Sequence, residues 1–246
     1  MVDLGLDGKR VVVTGGTRGL GRATALAFAR CGARVVAAYR SDDAGRAELV
    51  DRDGWDPRRD HTVRADLSTV DGVDELMRQC RQHLGGIDVL INNIGSFEPI
   101  PFAQLMIDQW RYHVDSNLTV HYLVTRAARP LLSEGSAVIN VGAAMWTRGM
   151  PAQAHYTAAK GGLVGMTRSL SREFGPERIR VCAITPGVIR TERGVGVPQP
   201  LRGRYLAATA LGRFGTAEEI SRTVLFLASD LASFVTGITL NVDGGI

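Results

Sequence analysis

Tyr156 and Lys160 stand four residues apart in the stretch Ala154–Phe174, whose apolar spacing predicts a helix, so the two side chains share one helical face. A free phenol titrates near pH ~10, and a neighbouring ammonium favours the phenolate, which is expected to bring Tyr156 down toward neutrality. Such a pair can give a proton to a carbonyl oxygen during reduction or take one from an alcohol during oxidation. His155 adds a titratable group beside them, but adjacent residues on a helix point in different directions. Far upstream, Thr14-Gly15-Gly16-Thr17-Arg18-Gly19-Leu20-Gly21 joins an apolar run to a helical pattern. Glycines there permit a tight turn and let backbone N–H groups at a helix N-terminus approach a pyrophosphate.

The elements that must position these groups are legible from periodicity. Short apolar runs at Arg10–Thr14, Arg34–Tyr39, His61–Arg64, Val89–Asn92, Ala137–Val141, Arg180–Thr185 and Thr239–Val242 predict strands. Between them, helical spacing covers Gly21–Cys31, Val70–His83, Asp108–Leu132, Ala154–Phe174 and Ala217–Ala228. Strands without polar alternation are those covered on both faces, so the chain is expected to be an α/β protein. Its expected form is a single three-layer, doubly wound (Rossmann) domain, with a parallel sheet of about seven strands. The charged, Gly/Pro-punctuated stretch Asp42–Asp60 reads as a surface helix and loop. A Gly- and Pro-rich segment at 190–212 follows the carboxyl end of a strand, where ligands of open sheets bind, and is expected to be a substrate lid.

After the second strand, Arg40 and Ser41 offer a planar cation and a hydroxyl suited to a 2′-phosphate, with Arg18 in the glycine turn as a second cation. NADP(H) is the cofactor this favours; the alternative has Asp42 or Asp43 on the ribose of NAD.

The glycine spacing is T-G-x-x-x-G-x-G, and further elements follow in order. They are Asp66-Leu67-Ser68, Asn92-Asn93-Ile94-Gly95, Asn117, Tyr156-x-x-x-Lys160, Pro186-Gly187-Val188-Ile189-Arg190-Thr191 and Val242-Asp243-Gly244-Gly245. Together they span essentially the whole chain, which resembles the short-chain dehydrogenase/reductase family, in particular its 3-oxoacyl-carrier-protein-reductase-like ketoreductases. The resemblance implies a cofactor site of Gly15, Thr17, Arg18, Gly19, Leu20, Gly21, Arg40, Ser41, Asp66, Leu67, Asn93, Gly95, Tyr156, Lys160, Pro186, Gly187, Ile189 and Thr191. Within it Asp66 would meet the adenine, Asn93 the neighbouring ribose and Thr191 the nicotinamide amide, with Val188 or Ile189 lining that ring. It also implies Tyr156, Lys160 and Asn117 as the catalytic set, the lysine touching the nicotinamide ribose and the asparagine holding a water on the proton path.

One member departs from the family pattern. Thirteen residues before Tyr156, where the family carries a serine that hydrogen-bonds the substrate carbonyl, stands Ala143. Thr147, the nearest downstream hydroxyl, lies four residues on, and an extended loop would carry it several ångströms away. The apolar stretch Met145–Met150, with Ala143, Met145, Trp146 and Phe97, is expected to line a substrate pocket. Losing one oxyanion donor costs about 10²–10³ in rate. Ketone reduction, or the reverse alcohol oxidation, is therefore the leading expectation. The alternatives are a non-redox cyclase, dehydratase or isomerase, and a catalytically weak cofactor-binding partner subunit.

Composition sets the outer bounds. In 246 residues, 45% hydrophobic and 22% charged residues suffice for a large core. A net charge of +4 with scattered basic residues does not suggest nucleic-acid binding. Cys31, Cys80 and Cys182 lack zinc-ligand spacing and fit a reducing cytoplasm, no metal is expected, and no apolar run predicts a membrane span. Expected partners are a small-molecule ketone or alcohol, whether free or carrier-bound. A homotetramer or homodimer built on Asp108–Leu132 and Ala154–Phe174 is implied by the resemblance. Arg193, Arg202 and Arg204 in the lid segment are candidate receivers of an acidic substrate, or simply solvated charges.

Overall fold

The computed structural model describes residues 3–192, 194–195 and 197–246. Its strands are β1 (Arg10–Thr14), β2 (Arg34–Tyr39), β3 (His61–Arg64), β4 (Ile87–Asn92), β5 (Leu132–Val141), β6 (Arg180–Pro186), β7 (Ile189–Thr191), β8 (Gly194–Val195), β9 (Gly215–Thr216) and β10 (Thr239–Val242). The α-helices are α1 (Gly19–Arg30), α2 (Asp43–Val50), α3 (Val70–His83), α4 (Ile107–Val114), α5 (Val120–Ala128), α6 (Met145–Arg148), α7 (Ala154–Phe174), α8 (Gln199–Ala208) and α9 (Ala217–Ala228). Seven strands form one parallel sheet in the order β10-β6-β5-β4-β1-β2-β3. The chain reverses its direction of travel between β1 and β4, and that switch point opens a crevice at the carboxyl ends of the strands.

Alternate residues of each strand feed opposite layers. Val11 and Val13 pack with Phe28, Val224 and Leu227, whereas Val12 packs with Leu76, Leu90 and Val124. Each such side chain contributes about 1.5–3 kcal/mol on burial, so two apolar layers clamp the sheet and make it a Rossmann-type α/β domain. Thr69 caps α3 by accepting the Gly72 amide at 3.1 Å, and Thr216 and Glu219 form a reciprocal capping box on α9. These caps place both helices at the predicted bounds.

Several elements differ from expectation. β4 begins at Ile87 and β5 at Leu132, because Ile87 pairs with Leu132 across a register shift before Val89 meets Ala137. The single helix expected over Asp108–Leu132 is α4, a π turn at Asp115–Thr119, α5 and a 3₁₀ turn at Arg129–Leu131. The stretch Met145–Met150, expected as an open loop, starts with the helical turn α6. The segment expected as a lid holds β7, β8 and α8; β7 pairs antiparallel with β8 and parallel with β9 in a small second sheet. Among the described residues no helix is long and apolar enough to cross a membrane.

Candidate active site

The glycine turn sits between β1 and α1 at the switch point. Gly15 has φ +65°, which favours glycine, and the Gly16 amide donates to the Ala38 carbonyl at 2.9 Å. A Cβ on Gly21 would collide with the Gly15 carbonyl oxygen and lie 2.6 Å from Asn93 Nδ2. Asn93 braces the turn from the end of β4: its amide nitrogen donates to the carbonyls of Thr14 at 3.0 Å and Gly15 at 3.3 Å. That use differs from the ribose contact expected of this side chain. Leu20 packs against the core, and the Gly19 amide donates to Glu192 Oε1 at 2.8 Å.

Beyond β2, Arg40 and Ser41 are exposed, and among the described residues Arg40 pairs with no carboxylate. Asp42 is already occupied. Its carboxylate caps α2 through the Gly45 amide at 3.2 Å, meets Thr17 Oγ1 at 3.5 Å and lies 4.0 Å from Arg18 Nε. Asp43 lies 3.9 Å from Arg64. Asp66 is exposed, and the hydroxyl and amide of Ser68, at 2.7 and 3.1 Å, hold its carboxyl below the usual carboxylate range. The Leu67 side chain is buried in the core, because Val63, Ala65 and Leu67 continue the inward-facing row of β3.

On the other side of the crevice, Pro186 and Gly187 close β6, and a Cβ on Gly187 would lie 2.8 Å from Asp243 Cα. The close packing on the C-terminal strand connection leaves no room for a side chain here. Ile189 packs on the core, while Thr191 approaches the glycine turn, its Cγ2 lying 3.8 Å from where a Cβ on Gly19 would be.

Tyr156 and Lys160 lie in the first turns of α7, as predicted. Lys160 is buried and its Nζ donates to the Val141 carbonyl at the end of β5 at 2.9 Å. Tyr156 is half-buried, with its ring edge-on to Phe97 at 5.2 Å and 5.9 Å from Lys160 Nζ. Burial lowers the Lys160 ammonium to about 8 and pushes the Tyr156 phenol up to about 12. The expected lowering of the phenol is not present, because burial of the hydroxyl disfavours the phenolate.

Asn117 sits in the π turn and is fully buried. Such wide turns often mark functional positions. Its Nδ2 donates to the carbonyls of Ser96 and His113, both at 2.9 Å, and its Oδ1 accepts the Ser96 amide at 3.2 Å. A Cβ on Gly95 would lie 2.8 Å from Asn117 Oδ1 and 3.4 Å from Lys160 Nζ, so glycine keeps open the space that both groups face.

Ala143 lies just past β5, 8% exposed, with its carbonyl accepting the Trp146 amide at 3.2 Å. Thr147 does not replace a hydroxyl there: it is exposed and donates to the Ala144 carbonyl at 3.1 Å within α6. Met145 and Trp146 are half-buried, and the Trp146 indole N–H is buried with no acceptor among the described residues. A nearby apolar groove is lined by Phe102, Met150, Pro151, Ala152, Thr157 and Ala158. Tyr205 on α8 donates to Met150 Sδ at 3.4 Å, tying the expected lid to this turn. Arg202 and Arg204 are exposed, and Arg193 lies outside the described residues.

Sequence reasoning missed Ser96, His113 and Glu192. Ser96 Oγ lies 3.2 Å from His113 Nδ1 and 2.6 Å from Ser116 Oγ. His155 turns away from Tyr156: its ring lies 4.3 Å from that of His113 and its Nε2 3.1 Å from the Glu98 carbonyl. No local pattern announces these contacts, since the loop after β4 meets α4 only in the folded chain.

A dinucleotide fits what the chain presents. Gly16 and Gly21 leave no room for a Cβ in the turn, the Gly19 amide at the α1 N-terminus already donates to an anionic oxygen of Glu192, and Arg40 follows β2 while Arg18 of the turn reaches Asp42 just beyond it. The chain belongs to the short-chain dehydrogenase/reductase family of oxidoreductases. A sequence family described as enoyl-(acyl carrier protein) reductase matches residues 15–246. The chain is 36% identical over 243 residues to the 3-oxoacyl-[acyl-carrier-protein] reductase FabG of Chlamydia muridarum, covering 98% of each. It superposes on a short-chain dehydrogenase/reductase from Serratia marcescens with TM-score 0.92 and 28% identity, covering 98% of each chain. A short-chain dehydrogenase from Burkholderia cenocepacia, solved in complex with NADP, gives TM-score 0.91 and 28% identity, again over 98% of each.

Proposed function

We propose that this chain reduces a ketone with NADPH, or runs the reverse alcohol oxidation, with Tyr156 as the proton donor. The observation that carries it is the pairing of a half-buried Tyr156 with a buried, carbonyl-anchored Lys160 at the sheet edge that also bears the glycine turn. The glycine turn and α1 N-terminus would hold the pyrophosphate, and Arg40, Ser41 and Arg18 a 2′-phosphate. Bound there, the nicotinamide supplies or accepts the hydride.

With its phenol pushed up to about 12, Tyr156 is protonated throughout the neutral range and is ready to donate to a developing alkoxide. Lys160, fixed by Val141, provides the positive charge that favours the phenolate left behind. Asn117 holds Ser96, and with it the loop that bears Gly95, against this pair. Ala143 supplies no hydrogen bond to the carbonyl oxygen, so polarisation rests on Tyr156 alone or on a hydroxyl of the substrate.

The relatives' names support a carrier-bound 3-oxoacyl chain as the substrate class. The test is NADPH consumption with 3-oxobutyryl and crotonyl thioesters of N-acetylcysteamine and a panel of simple ketones. Turnover of carbonyl substrates that Tyr156→Phe abolishes, at unchanged NADPH affinity, is the expected result. Product formed with no NADPH consumed would instead establish the non-redox chemistry that the alanine at 143 allows.

A further inference from the structure

The N-terminus of α1 is held by a residue 173 positions away. Gly19 Nα donates to Glu192 Oε1 at 2.8 Å, and Arg22 Nη2 lies 3.3 Å from the same oxygen. Within the helix itself nothing does this work: the first turn of α1 has no acidic residue, and the Arg18 side chain makes no cap. Arg22 is buried, with Glu48 paired to its other nitrogen. One guanidinium is therefore shared by two carboxylates, both supplied from outside the helix.

A pyrophosphate needs the same amides and the same positive helix end. The Glu192 carboxylate and a phosphate cannot both sit on the Gly19 amide, since one N–H donor cannot be shared by two like-charged groups at hydrogen-bonding distance. Glu192 follows β7 directly.

We propose that Glu192 is a positioning residue that holds the phosphate seat in the dinucleotide-free chain and swings out when the pyrophosphate enters. The proposal rests on the reading above that this seat takes a dinucleotide. The internal carboxylate competes with the ligand, and only the fraction of molecules with Glu192 displaced is competent to bind.

NADPH dissociation constants, measured by the fluorescence of the bound nicotinamide, test this in wild type, Glu192→Gln and Glu192→Ala. Both variants remove the competing charge and are expected to bind NADPH roughly three- to tenfold more tightly. A residue that merely supported the fold would show the opposite sign. Equal or weaker NADPH binding by both variants overturns the proposal and leaves Glu192 a fixed cap. If no form, wild type included, binds NADPH or NADH, the proposed function falls, and this inference with it.

Discussion

Replacing Ala143 by serine should restore the missing donor. Ala143 lies at the end of β5, in the turn that leads into α6 and on to the α7 residues Tyr156 and Lys160. The nearby carbonyls that could capture a new hydroxyl already have donors: Val141 takes Lys160 Nζ, Ala143 takes the Trp146 amide and Ala144 takes the Thr147 hydroxyl. A fully preorganised oxyanion donor is worth about 2.7–4 kcal/mol. Without neighbours to fix its rotamer, the added hydroxyl is better treated as one hydrogen bond to a charged group, about 1.5–3 kcal/mol, or roughly 10- to 150-fold in rate. Because the alkoxide charge develops only in the transition state, the gain belongs in kcat. NADPH affinity should stay within about twofold, since the residue touches the carbonyl side of the crevice. The assay is the fall in NADPH absorbance with a ketone panel, with cofactor binding measured separately. An Ala143→Ser chain that binds NADPH normally yet reduces no ketone faster than wild type would refute the placement of the carbonyl oxygen beside position 143.

Three other outcomes follow from the same geometry. Arg40→Ala should weaken NADPH binding about 10- to 100-fold, the worth of a charge-assisted hydrogen bond, while leaving NADH binding unchanged; equal loss for both nucleotides would place the 2′-phosphate elsewhere. Gly95→Ala would push a methyl group to 2.8 Å from Asn117 Oδ1 and 3.4 Å from Lys160 Nζ, and should depress kcat with a stability loss of about 1–3 kcal/mol by denaturant titration. For pH, burial holds Lys160 at about 8, below the ~10.4 of an unfolded chain, so the unfolded state binds more protons between those values and stability rises with pH there. The cost of the buried ammonium is fully present below pH ~8, so wild type should gain up to about 3 kcal/mol on going from pH ~7 toward ~10. Lys160→Met should lack that gain. Above pH ~10 the raised Tyr156 acts in the opposite sense, because the folded chain then holds the extra proton, so the comparison belongs below it.

The fold was legible wherever one segment decided its own state. Val11–Val13 and Val35–Ala38 are apolar on every residue because both faces of the central strands are covered, and that pattern needs no partner to be read. Features set by a distant partner could not be read. Leu132 becomes strand only through Ile87, and the π turn around Asn117 interrupts a stretch whose apolar spacing reads as one helix. The same holds in the site. The glycine turn and the Tyr156/Lys160 spacing are local, but the rise of the phenol comes from burial, which only the folded surroundings of α7 set, and Lys160 is anchored by Val141, nineteen residues earlier and on another element. Asn93 carries the expected motif and yet spends its amide nitrogen on the glycine turn, a contact visible only once β1 and β4 lie side by side.

The energetics also separate an enzyme from a silent cofactor-binding subunit. Methionine at position 160 would fill the space between α7 and the end of β5 without burying a charge, and replacing a buried charge by an apolar side chain of similar volume is often stabilising. Lys160 instead keeps a desolvated ammonium at a stability cost, anchored through one carbonyl and facing the space beside Gly95. Ala143 reads the other way, since a small residue just past β5 costs the fold nothing and removes only a hydrogen bond to a substrate. The chain thus bears the cost of the group that supports proton transfer while doing without the group that polarises a carbonyl. That combination favours a slow or substrate-assisted reductase over an inert partner. It also makes the hydroxyls of the substrate, and not only its carbonyl, the variable to screen first.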